Sequence, residues 1–332
     1  MQPPAHPPAH PDTADCPFVI YSEEFLEVLG PEPRLELVVA TDAHEGPVYV
    51  KGQDALYFTT VPQAVNVPSP GYKTVAISRL DLATARVAVV RQPSNMANGM
   101  TLDREGRLVV CEQGTRSSPA AISRLDLATG VRESLVEQWF GLPFNSPNDV
   151  VVKSDGSIWF TDPSYGIDSD YEGDAAESEI GSCNVYRLDP ATGRVTLVAS
   201  DFVQPNGLAF SPDEALLYIA DTGLTHKENG PRHVRRFKVA ADGAAIADGE
   251  VFATCPVGVY DGFRVDVRGD LWLSAGDGVH CHASDGALLG KVLIPEPVAN
   301  VCFGGPKLNR LFICGTTSLY SVFLNTRAAS RP

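Results

Sequence analysis

The chain has 332 residues, 44% of them hydrophobic, and a formal net charge of -15. That size sustains a large buried core, and a closed all-β domain can use the whole of it. The acidity excludes a nucleic-acid partner, which needs a basic face; no basic amphipathic run and no apolar stretch of about 18 residues points to a membrane.

The first residues, MQPPAHPPAHPDTADC, lack a basic segment followed by an apolar one, so they do not read as a secretory signal. Residues 1–33 are expected to be a disordered or irregular tail, residues 34–327 a single domain, and the protein cytoplasmic. Seven cysteines are present, an odd number without a C-x-x-C pair. This argues against a disulfide scaffold or a zinc knuckle.

A repeat begins at Glu45. Six segments share a polar or acidic residue, often a following Gly, an apolar run, a polar turn and a second apolar run. In chain order they are EGPVYVKGQDALYFT from Glu45, NGMTLDREGRLVVCEQG from Asn98 and NDVVVKSDGSIWFTDPSYG from Asn148, then NGLAFSPDEALLYIADTG from Asn206, DGFRVDVRGDLWLSAGDG from Asp261 and NVCFGGPKLNRLFICGTT from Asn300. The starts are 53, 50, 58, 55 and 39 residues apart. Each segment reads as a β-hairpin, with turns at Arg104–Gly106, Ser154–Gly156, Pro212–Glu214 and Arg268–Asp270. Between them lie further strand pairs such as AISRLDLATARVAVV from Ala76 and VYRLDPATGRVTLVA from Val185. Two hairpins per repeat, six times over, predict an all-β six-bladed β-propeller with four-stranded antiparallel blades. The last repeat supplies three strands, so LELVVA at Leu35–Ala40 is expected to pair into it and close the ring, removing the open edge.

In propellers the first strand of each blade lines the central channel. The aligned first residues are Glu45, Asn98, Asn148, Asn206, Asp261 and Asn300, two carboxylates and four carboxamides. Hard cations take such oxygen ligands, and the absence of His and Cys at this register disfavours Zn²⁺. Asn and Asp at a strand entrance also serve turns. Six together, including a Glu, favour one divalent cation on the axis: Ca²⁺ first, with Mg²⁺, Mn²⁺ or Zn²⁺ as alternatives.

EGPVY at Glu45–Tyr49, NSPNDVVVKSDGSIWFTDPSYG at Asn145–Gly166, PNGLAFSPDEALLY at Pro205–Tyr218, YDGFRVDVRGDLW at Tyr260–Trp272 and NVCFGG at Asn300–Gly305 together resemble the SMP-30/gluconolactonase/LRE-like family, and bacterial gluconolactonases most. The resemblance implies one metal held by Glu45, Asn148, Asn206 and Asp261, with Asn98 nearby, in contact with substrate or with a metal-bound water. Regucalcin-type sequences carry an Arg two residues before the position of Asn148; here that residue is Ser146, so hydroxyl recognition differs.

The function expected is metal-dependent hydrolysis of a small sugar-type lactone. The metal polarises the carbonyl and water attacks, with Asp261 as general base and Glu45 as the second choice; no G-x-S-x-G nucleophile motif is present. The alternatives are another ester or phosphotriester on the same site, or a non-catalytic calcium-binding propeller. Asn98, Asn148 and Tyr165 are candidate substrate contacts, Tyr165 and Asp162 following an inner hairpin. His44 is a candidate supporting partner of Glu45. The acidic stretch 168–179 reads as a solvated loop, with a lid as the other reading. The expected partner is the lactone alone, with the protein a monomer or small homo-oligomer.

Overall fold

Alternating apolar runs broken by tight turns can bury their apolar residues only by stacking hairpins, and the chain does so six times. The computed structural model describes residues 16–64 and 73–329. At the expected turns, Gly106, Gly156, Glu214 and Gly269 adopt positive φ. Each turn is closed by a backbone hydrogen bond, such as Gly156 N to Lys153 O at 2.9 Å.

Each hairpin forms the inner half of a four-stranded antiparallel blade. Blade 1 runs Ala43–Val50, Ala55–Thr60, Ile77–Asp81, Arg86–Arg91, and blade 2 runs Ala97–Leu102, Leu108–Glu112, Ala121–Leu125, Arg132–Val136. Blade 3 runs Val150–Val152, Ile158–Asp162, Asn184–Asp189, Arg194–Ala199, and blade 4 runs Pro205–Phe210, Leu216–Asp221, His233–Val239, Ile246–Thr254. Blade 5 runs Phe263–Val265, Leu271–Ala275, Gly278–His282, Leu288–Leu293. Blade 6 takes Asn300–Gly304, Arg310–Cys314 and Ser318–Phe323 from the end of the chain and Leu35–Ala40 from near its start, with Leu35 opposite Val322 and Ala40 opposite Ser318. The six-bladed propeller and its closure are as expected.

The core is divided into wedges between neighbouring blades. Trp159 of blade 3 packs with Leu208, Leu217 and Phe237 of blade 4; Trp272 of blade 5 packs with Val301, Leu311 and Val322 of blade 6. Strands buried on both faces explain why FTD, IAD and LWL segments read as apolar runs rather than strict alternations.

The stretch before residue 34 differs from the expected irregular tail. Residues 1–15 lie outside the described part. From there on, Phe18–Ile20 adds a fifth strand to blade 5, pairing with Leu288–Leu293. Helix Glu23–Leu29 follows, with the Ser22 side chain accepting from Glu24 N at 3.2 Å. Phe25, Val28 and Leu29 sit at helical spacing on one face and bury against Trp272 and Val292. Seven residues are too few for the pattern to stand out beside a Pro-rich start. All seven cysteines are free. No helix among the described residues is long and apolar enough to cross a membrane.

Deleting residues 34–40 removes the outer strand of blade 6 and exposes the edge of Ser318–Phe323. The deleted chain is expected in the insoluble fraction on expression; a soluble, cooperatively melting product would contradict the closure as a stability requirement.

Candidate functional site

The six polar residues that begin the inner strands meet at one mouth of the channel. They form a closed ring of neighbour contacts between blades. Gly46, after Glu45, abuts the carbonyl of Asn98: a Cβ there would lie 2.5 Å from it. Gly99 N donates to Asn148 O at 2.7 Å. The Leu208 backbone of blade 4 faces the Asp149 carboxylate and favours its charged form. A Cβ on Gly207 would lie 2.1 Å from Asp261 O, and one on Gly262 would lie 2.1 Å from the Asn300 side chain. Asn300 Nδ2 closes the circle by donating to Glu45 Oε2 at 2.8 Å across 255 positions of sequence. The Gly that follows the polar residue in four repeats is thus a packing requirement: only a residue without Cβ admits the next blade's backbone or, at Gly262, the Asn300 side chain.

Two of these residues are held by an identical device. Asp162, at the end of the second strand of blade 3, accepts from Asn145 N at 3.1 Å and Ser146 N at 2.8 Å. Asp221, at the same register of blade 4, accepts from Val203 N and Gln204 N, both at 3.0 Å. Each Asp fixes the backbone two residues ahead of an inner-strand Asn, Asn148 and Asn206. Burial pushes the Asp162 carboxyl up to about 7, against the pull of its two backbone donors.

Electrostatics single out Glu45 and Asp261. Burial raises both above the ordinary carboxylate range, and each raises the other or is raised by Asp149. Glu45 Oε2 is engaged by Asn300 and by Gly46 N at 3.2 Å. Asp261 keeps some exposure to the mouth although protein surrounds it, and the Asn206 amide that faces it favours its charged form. Two buried carboxylates without a cationic partner are costly. Asn98 Oδ1 and Asp149 Oδ2 are buried with no hydrogen-bond partner among the described residues. A donor set made of carboxylate and amide oxygens, under-satisfied and crowded with negative charge, fits a hard divalent cation. Among the described residues no three His, Cys, Asp or Glu gather as a metal cluster; the set here has two acids, and amides complete it.

The structure brings Glu45, Asn98, Asn148, Asn206, Asp261 and Asn300 together. Tyr165 lies on a short helix, Tyr165–Asp168, with its hydroxyl bonded to Thr222 Oγ1 at 2.6 Å and Thr225 Oγ1 at 3.0 Å and its ring edge-on to His226. His44 Nδ1 has no hydrogen-bond partner among the described residues, so it does not orient Glu45 through that atom, and burial lowers its pKa to about 4. Sequence reasoning passed over Asp149 and Glu172. Asp149 occupies the position where four other repeats have Gly, a signal that an alignment of the six repeats contains. Glu172 belongs to the acidic loop, whose neighbours are exposed. It turns inward beside Gln113, and its charge is felt at Glu45 and Asp261. The loop is pinned to blade 2 by Asp174, which accepts from Arg116 N at 2.7 Å, and to blade 4 by Asp168 and His226 Nε2 at 2.5 Å.

Fold and site define a six-bladed propeller with an acidic, amide-rich axial mouth. A family model described as SMP-30/Gluconolactonase/LRE-like region matches residues 43–317, and the chain belongs to that family. A gluconolactonase of Zymomonas mobilis is 31% identical over 303 residues, covering 87% of this chain and 81% of the relative. A solved gluconolactonase of Xanthomonas campestris is 36% identical, with a TM-score of 0.79 over 96% of this chain and 99% of that one. Regucalcin from Agrobacterium tumefaciens, described as a calcium-binding protein, shares the fold at 20% identity and a TM-score of 0.69, over 89% of this chain and 94% of that one.

Two predictions follow from the geometry. Gly207→Ala is expected to lower unfolding free energy by about 2 kcal/mol or more in urea titration, while Gly52→Ala, with nothing within 4 Å of the added methyl, stays near wild type. Asp162→Ala and Asp221→Ala are each expected to weaken Ca²⁺ binding by about 10- to 100-fold in calorimetric titration, as losses of supporting partners do; unchanged affinity in both would separate these aspartates from the site.

Proposed function

We infer that this chain is a lactonase, a hydrolase acting on a carboxylic ester bond, and propose that it opens a small sugar-type lactone at the axial mouth with the help of one divalent cation, Ca²⁺ by donor chemistry. The observation that carries the proposal is the meeting of Glu45 and Asp261 with the unpartnered Asn98 amide oxygen and Asp149 carboxylate oxygen at one end of the channel. Glu45, Asn148, Asn206 and Asp261 are the residues assigned to hold the cation. When bound, it would supply Lewis-acid polarisation of the lactone carbonyl.

The two carboxylates divide the remaining work. Glu45 is tied down on one oxygen by Asn300 and Gly46, which suits a fixed ligand. Asp261 opens to the mouth and has the higher exposure, which suits a general base drawing a proton from the attacking water. Asn98 offers an unpartnered amide oxygen to a ring hydroxyl, and Asn148 is the second amide in reach of the substrate. With the hydroxyl of Tyr165 bonded to two threonines, its ring is the surface left to bound the pocket. Asp162 and Asp221 keep Asn148 and Asn206 in place.

Proton release is to be followed with gluconolactone, xylonolactone and an unsubstituted aliphatic lactone, with and without EDTA. The sugar lactones are expected to turn over and EDTA to stop them, with Ca²⁺ restoring the rate. Asp261→Ala is expected to lower kcat by about 10²- to 10⁴-fold; near-full activity in that variant refutes the base assignment. Turnover of aryl or phosphate esters alone would reassign the substrate, and no turnover of any would leave a cation-binding propeller.

A further inference from the structure

The other end of the channel is built differently. Three residues beyond each ring residue, about 10 Å along the strand, stand Val48, Thr101, Val151, Ala209, Arg264 and Phe303, and all six line one cavity of about 380 Å³. Contributions from all six inner strands place this cavity on the axis, at the mouth opposite Glu45 and Asp261. Its size falls in the range of small-molecule pockets.

One charged side chain occupies this register. Arg264 is half-buried, and its one hydrogen bond among the described residues runs from Nη1 to the carbonyl of Phe263 at 2.8 Å. No carboxylate of the described residues is within ion-pair distance of it. Its charge reaches Asp149, deeper in the channel, and Cys302 in the wall. The acids on the cavity lining are already matched elsewhere: Asp103 by Arg107 at 2.8 Å and Arg124 at 3.0 Å, Glu214 by Lys153 at 3.1 Å. Lys51 and Arg104, also on the lining, have no ion-pair partner among the described residues. In a chain of net charge -15, this mouth concentrates uncompensated positive charge over apolar walls.

We propose that this cavity is a second binding site, for a small organic carboxylate whose anionic end pairs with Arg264 and whose apolar body lies against Val48, Val151 and Phe303. A planar guanidinium with free donors recognises a carboxylate in two-point fashion, and a half-buried cation gains most from such a partner. The overall acidity of the protein opposes adventitious anion uptake, so binding has to come from the local arrangement. The site is separate from the ester-opening mouth and does not depend on what that mouth hydrolyses.

Calorimetric titration of the full chain in chloride-free buffer tests this, with sodium valerate as probe and valeramide as its neutral counterpart. Valerate is expected to bind saturably at one site and valeramide at least tenfold more weakly. Arg264→Met, which removes the charge, and Val151→Phe, which fills the cavity while leaving the charge, are each expected to weaken valerate at least tenfold; Asp261→Asn, at the opposite mouth, is expected to leave it unchanged. Absence of saturable valerate binding, equal binding of valeramide, undiminished binding in a folded Arg264→Met or Val151→Phe protein, or loss of binding in Asp261→Asn overturns the proposal.

Discussion

Six inner strands converge on one axis, and their backbones approach so closely that a side chain between them has no room. Among the ring glycines that meet the next blade's backbone, Gly207 is the tightest: an added Cβ would lie 2.1 Å from the carbonyl of Asp261. The constraint works in both directions. Removing side chains at the second position of the strand draws the first positions together, so the polar residues that begin the strands are forced into one small volume. Blade closure by Leu35–Ala40 holds that convergence, because a ring missing one outer strand has an edge where it can open. Site and fold are therefore stabilised by the same contacts, and the glycines serve both.

That convergence has an electrostatic cost. Burial raises the proton affinity of Glu45 and Asp261; Asp149 raises both further, and Glu45 raises that of Asp261. Folding alone gives no reason for such a cluster; apolar residues at these positions would pack without the charge. A cation that bound the folded state and not the unfolded one would offset that cost. Charge at the two mouths is opposite in sign: carboxylates converge at one, and Arg264, Lys51 and Arg104 gather at the other. Burial raises the proton affinity of Asp149, and the Arg264 charge works against it.

Much of this was legible in the sequence, for a reason specific to repeats. Glu45, Asn98, Asn148, Asn206, Asp261 and Asn300 stand at one register of six similar segments, so a local alignment carries three-dimensional information. Leu35–Ala40 was legible by counting, since the last blade lacked one strand. Helix Glu23–Leu29 was not, because its seven residues are ordered by packing of Phe25 onto blade 5 rather than by local propensity. Glu172 was hidden by composition: an acidic loop reads as solvated, and its inward turn depends on Arg116, His226 and Gln113, which come from other blades. Arg264 was hidden for the opposite reason, as one polar residue in a strand that alternates.

Departures from the sixfold pattern locate function better than the pattern itself. At the end of the second strand, blades 3 and 4 carry Asp162 and Asp221, each taking two backbone donors ahead of an Asn of the ring. The same register holds Thr60 in blade 1, Glu112 in blade 2, Ala275 in blade 5 and Cys314 in blade 6. Glu112 is the nearest in kind, but its carboxylate takes Arg132, Ser123 and the Asn95 side chain of the loop rather than the loop backbone. The two blades with the aspartate device are those that present Asn148 and Asn206, neutral residues that no ionic contact holds in place. A carboxylate ligand is positioned partly by its own charge, whereas an amide must be positioned by its backbone. Four blades pack without such an aspartate; the two that carry it are those whose amides, Asn148 and Asn206, are proposed to join Glu45 and Asp261 around the cation.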